Sequence, residues 1–261
     1  TARHPPSRAT LIRLIGVAEL KLRWAEVPGH PAPPAPEPID PPRPEANHFL
    51  GSLNCLLAPS YDPLGCVADL VRFLNGAGGY LEQTSAYLDP GSAAAYLTLC
   101  QHSPLSTALR SRLPLGEVAK QIVAISGPGP LQVIALGAGD GISEAQLVGH
   151  LLESGASRVE LCLLDISQPL LTSAYHYAVD RLALQPQVQV WALQGNFHHL
   201  PLYAGLRRPA ARRPRQLFTL LGGTLAHLDH EPRFLQQSLV DCAVDDLLLL
   251  DVPLASAPST D

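Results

Sequence analysis

The stretch from Val133 through Ile134, Ala135, Leu136, Gly137, Ala138, Gly139 and Asp140 to Gly141 constrains this chain most. It reads as an apolar strand running into a glycine-rich turn and then a helix. Three glycines at alternate positions let the backbone pass under a ligand with no Cβ in the way, and they permit the positive φ angles of a tight turn. A helix beginning near Ile142 would aim unpaired N–H groups and the positive end of its dipole at whatever lies there. The G-x-G-x-G spacing matches neither the G-x-G-x-x-G dinucleotide fingerprint nor the G-x-x-x-x-G-K-S/T phosphate loop.

From Leu131 onward short apolar runs alternate with helical patterns. Strands are expected at 131–136, 159–164, 187–193, 215–221 and 246–251, with helices over 142–153, 168–183 and 231–242. That rhythm predicts an α/β, Rossmann-like parallel sheet with both faces covered. Ligands of such sheets lie at the carboxyl ends of the strands, near the switch in strand order. Gly137–Gly141, Asp165, Asn196 and Gly222-Gly223-Thr224 all fall at those ends. Asp165, 24 residues beyond Gly141, ends the second strand, where an acid can hydrogen-bond the two ribose hydroxyls of a nucleoside. A helix cap at Asp165 or Ser167 is the competing explanation.

The upstream half reads differently. Leu11, Ile12, Leu14, Ile15, Val17, Leu20 and Leu22 suggest an amphipathic helix over 10–26, within an N-terminal unit 1–27. Nine prolines between Pro28 and Pro44 exclude a helix or central strand and predict an extended linker over 28–46. Residues 47–127 read as a helical region, with segments near 48–57, 65–76, 80–87, 91–101, 105–111 and 115–126. The domain with the glycine turn then covers 128–261. Five cysteines without a C-x-x-C pair fit reduced, buried thiols of a cytoplasmic protein. A net charge of −5 argues against a general nucleic-acid surface, and no apolar run is long enough to cross a bilayer. The pairs His198-His199 and His227-x-x-His230 lack flanking acids at ligand spacing, so no metal site is expected. The five arginines between Arg207 and Arg215 read as a solvated loop or a surface for an anionic partner.

Four motifs in order carry a family resemblance: Leu136-Gly137-Ala138-Gly139-Asp140-Gly141, Leu164-Asp165-Ile166-Ser167, Gly195-Asn196-Phe197 and Leu221-Gly222-Gly223-Thr224-Leu225-Ala226-His227-Leu228. The block 131–251 resembles the histidine-specific, EgtD-like branch of class I methyltransferases that use S-adenosylmethionine (SAM). The resemblance implies SAM as cofactor and a Rossmann-like sheet that continues with two further strands, usually an antiparallel pair. Since the chain stops ten residues past the fifth strand, those C-terminal strands are expected to be missing or supplied by another chain.

Carried over residue by residue, Gly137, Ala138 and Gly139 would line the methionine end of SAM, and Asp140, Gly141 and Gly222 are also expected to bind the cofactor. Asp165 would hold the ribose, with Ile166 and Ser167 beside it, and Asn196 and Phe197 would flank adenine. Asn196 stands where the family commonly has aspartate; its amide oxygen can still accept from the adenine amino group, without charge assistance. His227 stands where the family has an asparagine that touches the amino-acid substrate. Thr224 and His227 are the catalytic candidates, His227 as an orienter or proton acceptor near neutral pH. Tyr80 or Tyr87 could reach the same place. The expected activity is methyl transfer to a small-molecule, amino-acid-like nitrogen acceptor. The alternative is a non-catalytic SAM- or nucleoside-binding module, with residues 1–46 available to a protein partner.

Overall fold

The expected strand at the glycine turn forms over Pro130–Leu136 and lies at the centre of the sheet. The computed structural model describes residues 10–16, 55–57, 63–76, 87–103, 113–203, 214–228, 231–239 and 242–253. In chain order the elements are β1 (Thr10–Gly16), β2 (Cys55–Leu57), α1 (Pro63–Leu74), α2 (Pro90–His102), α3 (Leu115–Ser126), β3 (Pro130–Leu136), α4 (Ile142–Glu153), β4 (Arg158–Asp165), α5 (Gln168–Leu182), β5 (Val188–Gln194), β6 (Arg215–Leu220), α6 (Glu231–Gln237) and β7 (Leu247–Pro253). Two short 3₁₀ turns, Phe197–Leu202 and Thr224–His227, follow β5 and β6.

The sheet order is β1-β7-β6-β3-β4-β5-β2. The chain moves outward from β3 through β4 to β5, then returns to the other side of β3 for β6 and β7. All neighbours from β7 across to β2 are parallel. The reversal leaves the carboxyl ends of β3 and β6 side by side with their following loops splayed apart, which opens a crevice.

Alternation along β3, β4, β6 and β7 separates two apolar layers. Val133, Ala135, Leu161, Leu163, Leu217 and Leu249 pack with Ile122 of α3, Leu147 and Leu151 of α4, and Leu171 and Ala178 of α5. Ile134, Leu136, Cys162, Leu164, Phe218, Leu220, Leu248 and Leu250 face the other way, against Phe197, Leu200, Tyr203, Phe234 and Leu239. Both faces are therefore covered, and the strands read as nearly unbroken apolar runs for that reason. At about 25 cal/mol per Å² of apolar surface removed from water, each fully buried leucine contributes roughly 2 kcal/mol.

Two upstream expectations are corrected. Residues 10–26 were expected as a helix, yet Thr10–Gly16 is a strand lying antiparallel on β7, with Ile12 opposite Asp251. The Leu11–Ile15 run suits either state by composition, and pairing with the open edge of β7 decides it. Residues 17–26 lie outside the described residues, as do the linker and the segments near 80–86 and 105–111. Likewise Cys55–Leu57, placed in a helix from sequence, pairs in parallel with Ala192–Gln194. The C-terminal antiparallel strands expected to be missing have a counterpart: β1 takes the antiparallel position beside β7, coming from the N-terminal side. Among the described residues no helix is long and apolar enough to cross a membrane.

Candidate functional site

The turn after β3 is held by its own backbone. The amides of Gly137 and Ala138 both donate to the carbonyl of Leu164, at 2.9 and 3.2 Å, fastening the turn to the end of β4. Gly141 donates to the Ala138 carbonyl at 2.9 Å, and the Ile142 amide donates to Asp140 Oδ1 at 3.2 Å. The Gly139 amide donates to Asp165 Oδ2 at 3.0 Å. The amides of Gly137, Ala138, Gly139 and Gly141 are thus all taken within the bend, and of the helix start the Ile142 amide is paired as well.

All three glycines of the turn have positive φ, and two show what the missing Cβ is for. Gly139 has φ +56°, and a Cβ there would lie 3.1 Å from the Tyr96 hydroxyl oxygen. Gly141 has φ +71°, and its Cβ would lie 2.9 Å from Ala174 Cβ and 3.1 Å from the α5 backbone. The first opens toward a cleft and the second lets α4 and α5 pack, so one motif serves both purposes.

Asp165 ends β4 and is buried, with its carboxylate tied at both oxygens: Oδ2 by Gly139 and Oδ1 by the Ser167 amide at 2.9 Å. Burial pushes its carboxyl up to about 6, against the opposing pull of amide donors from Ser167, Gly139 and Ile166. The carboxylate keeps acceptor capacity for a further donor. Ser167 is the N-cap of α5, its hydroxyl accepting from the Leu170 amide at 3.4 Å while donating to the Tyr87 carbonyl. Ser167 is therefore the cap, and Asp165 stands at the strand tip.

A cleft of about 790 Å³, counting its open mouth, spreads over these strand ends. Gly137, Gly139, Asp165, Ile166, Asn196, Phe197, Gly222 and Thr224 border it, as expected from sequence. Ala138 is buried beneath the turn, Asp140 and Gly141 hold the start of α4, and Ser167 ties β4 to Tyr87. These four shape the cleft without lining it.

At one end, the Asn196 Oδ1 accepts from the His198 amide at 2.9 Å, so it starts the 3₁₀ turn that turns Phe197 and His198 toward the cleft. The expectation for Asn196 is modified, since one acceptor position of its oxygen is already used. Phe197 and His198 stack with centroids 5.0 Å apart, and Phe234 meets Phe197 edge-on. At the opposite wall, Gly222 and Gly223 donate to the two oxygens of Asp251, each at 3.1 Å. Burial raises the Asp251 carboxyl, while the Gly223 and Gly222 amides pull the other way. The Thr224 hydroxyl donates to the Leu221 carbonyl at 2.8 Å, and its methyl would lie 3.0 Å from a Cβ on Gly137. Thr224 is therefore a wall and a hydrogen-bond acceptor, its own proton being committed. His227 ends the 3₁₀ turn that Thr224 begins.

Sequence reasoning missed Tyr96 and Leu170, and considered His198 only as half of a metal pair. Tyr87, named as a candidate, does border the cleft, and its ring meets Tyr96 edge-on at 5.2 Å. Tyr80 lies outside the described residues. The one signal for Tyr96 was Asp89-Pro90-Gly91-Ser92, which starts α2; the Asp89 carboxylate accepts the amides of Gly91 and Ser92 at 2.9 and 3.0 Å. Of the arginine run, Arg215 donates to the Ile125 carbonyl at 2.7 Å and so serves packing between β6 and α3.

Comparison with known proteins agrees with this arrangement. The sequence model of a family described as histidine-specific methyltransferase, SAM-dependent, matches residues 114–260. No curated protein matches the chain. The match takes in the glycine turn, the Asp165 strand tip and the loops after β5 and β6. The chain belongs to the histidine-specific, SAM-dependent methyltransferase family, and SAM is its cofactor.

Proposed function

We propose that the cleft holds SAM and directs its methyl group to a nitrogen of a small, amino-acid-like acceptor. The observation that carries this reading is the buried Asp165 carboxylate, bound to the bare Gly139 backbone at 3.0 Å beside a cleft at the strand-order switch. The residues present fit the cofactor. Asp165 keeps acceptor capacity for a ribose hydroxyl, Ile166 and Phe197 offer apolar faces for adenine, and Gly137 and Gly139 leave room where a Cβ would intrude.

The bound cofactor supplies an already activated methyl on a sulfonium, so the protein contributes mainly alignment and exclusion of water. Thr224 and Tyr87 border the side left for the acceptor, and the Thr224 oxygen can accept from an amine N–H. His227, at the end of the Thr224 turn, is assigned to orient the acceptor or to take its proton near neutral pH.

The test is transfer of tritiated methyl from SAM to a panel of amino acids, including histidine, and simple amines. The reading predicts an N-methylated amino acid and its demethylated coproduct, S-adenosylhomocysteine. Binding of SAM with transfer to no acceptor would instead assign a non-catalytic binding module.

A further inference from the structure

The turn that should cradle the cofactor's amino-acid tail has almost no donor to offer it. The amides of Gly137, Ala138, Gly139, Gly141 and Ile142 are bonded to Leu164, Asp165, Ala138 and Asp140. Among the described residues that line the cleft, none is Lys or Arg. A carboxylate on that tail still needs a donor, since a desolvated charge without a partner is costly.

Tyr96 stands at that place. It comes from α2, upstream of the residues matched by the family model. Its hydroxyl oxygen lies 3.1 Å from where a Cβ on Gly139 would be, on the residue whose amide holds Asp165. Tyr96 lines the cleft, and its ring is seated edge-on against Tyr87 at 5.2 Å and 71°. The helix is pinned to the site, because the Ser167 hydroxyl next to Asp165 donates to the Tyr87 carbonyl. The hydroxyl's companion on its own helix is the Cys100 thiol, a weak partner that a stronger acceptor displaces.

We propose that the Tyr96 hydroxyl is a cofactor-positioning group, donating to the α-carboxylate of the SAM tail where it passes over Gly139. Burial, reinforced by Cys100 and by the carboxylates of Asp140 and Asp165, keeps the phenol protonated throughout the physiological range, as a donor must be. The upstream helical segment is then part of the cofactor site. This inference rests on the cleft being the SAM site.

The test compares two probes, S-adenosylhomocysteine, which has the tail, and 5′-methylthioadenosine, which lacks it, titrated calorimetrically into the full chain and its Tyr96→Phe variant. Loss of a hydrogen bond to the charged tail should weaken S-adenosylhomocysteine about tenfold or more, while 5′-methylthioadenosine binds within about twofold of wild type. Unchanged affinity for S-adenosylhomocysteine would overturn the assignment, as would an equal loss for both probes, which marks a merely structural role. If the wild type binds both probes and the variant keeps their ratio, only the Tyr96 role falls. If the wild type binds neither, the cleft reading falls with it.

Discussion

The Gly139 amide donates to Asp165 Oδ2 across 3.0 Å, joining the middle of the turn after β3 to the tip of β4. The bond ties together two motifs that lie 26 residues apart in the chain. It fixes the carboxylate beside a glycine whose missing side chain leaves the turn open to the cleft. A turn anchored this way cannot move without moving the acid, so both should respond together to substitution and to pH.

The pH response follows from burial. Asp165 has its carboxyl at about 6 in the folded chain, against an ordinary value near 4 when unfolded. A raised acid favours the fold while protonated, so that contribution is complete below pH 4 and is lost as pH rises through 6. By pH 8 the ionised carboxylate costs the ligand-free fold about 3 kcal/mol relative to acid pH. Ribose hydroxyls donate to the ionised form, so affinity for S-adenosylhomocysteine should be steady above pH 7 and fall about tenfold by pH 5. Titration across that range checks this; pH-independent affinity contradicts it.

Glycine replacement should separate packing from conformation. Gly141→Ala meets both a left-handed backbone and the α5 wall at 2.9–3.1 Å, which should cost about 3 kcal/mol. Gly222→Ala has the same left-handed backbone but open space around it, so about 1 kcal/mol is expected. Urea unfolding of the two variants measures the difference, and equal losses would contradict the packing argument.

Asp251 should matter for the opposite wall. Its carboxylate accepts the amides of both Gly222 and Gly223, and β7 carries it past the end of β6, where β1 alone continues the ladder. Asp251→Ala should cost about 1–2 kcal/mol of stability, and its loosened Gly222–Thr224 wall should lower kcat/KM about tenfold. Asp251→Asn keeps one acceptor and should lose roughly half as much free energy. Methyl-transfer kinetics on both variants check this, and wild-type kcat/KM for Asp251→Ala would contradict it.

Much of the fold was legible because both faces of the sheet are buried. Apolar runs marked β3 to β7 to within a residue or two, and α4 was expected over the 142–153 it occupies. What escaped was set by distant partners. Thr10–Gly16 carries a composition that suits helix or strand, and only the open edge of β7 selects the strand. In the cleft, Asp165 and the glycines announced themselves through spacing. Tyr96 did not, because its place over Gly139 depends on how α2 docks, through Ser167 and Tyr87, and no local pattern encodes that contact.

The most direct measurement is calorimetric titration of S-adenosylhomocysteine into the wild type and Asp165→Ala at pH 8. The account predicts one site per chain in the wild type and a loss of about 2–3 kcal/mol, roughly 30- to 150-fold, in the variant, from removal of charged hydrogen bonds to the ribose. Equal affinity for the two proteins would contradict the account.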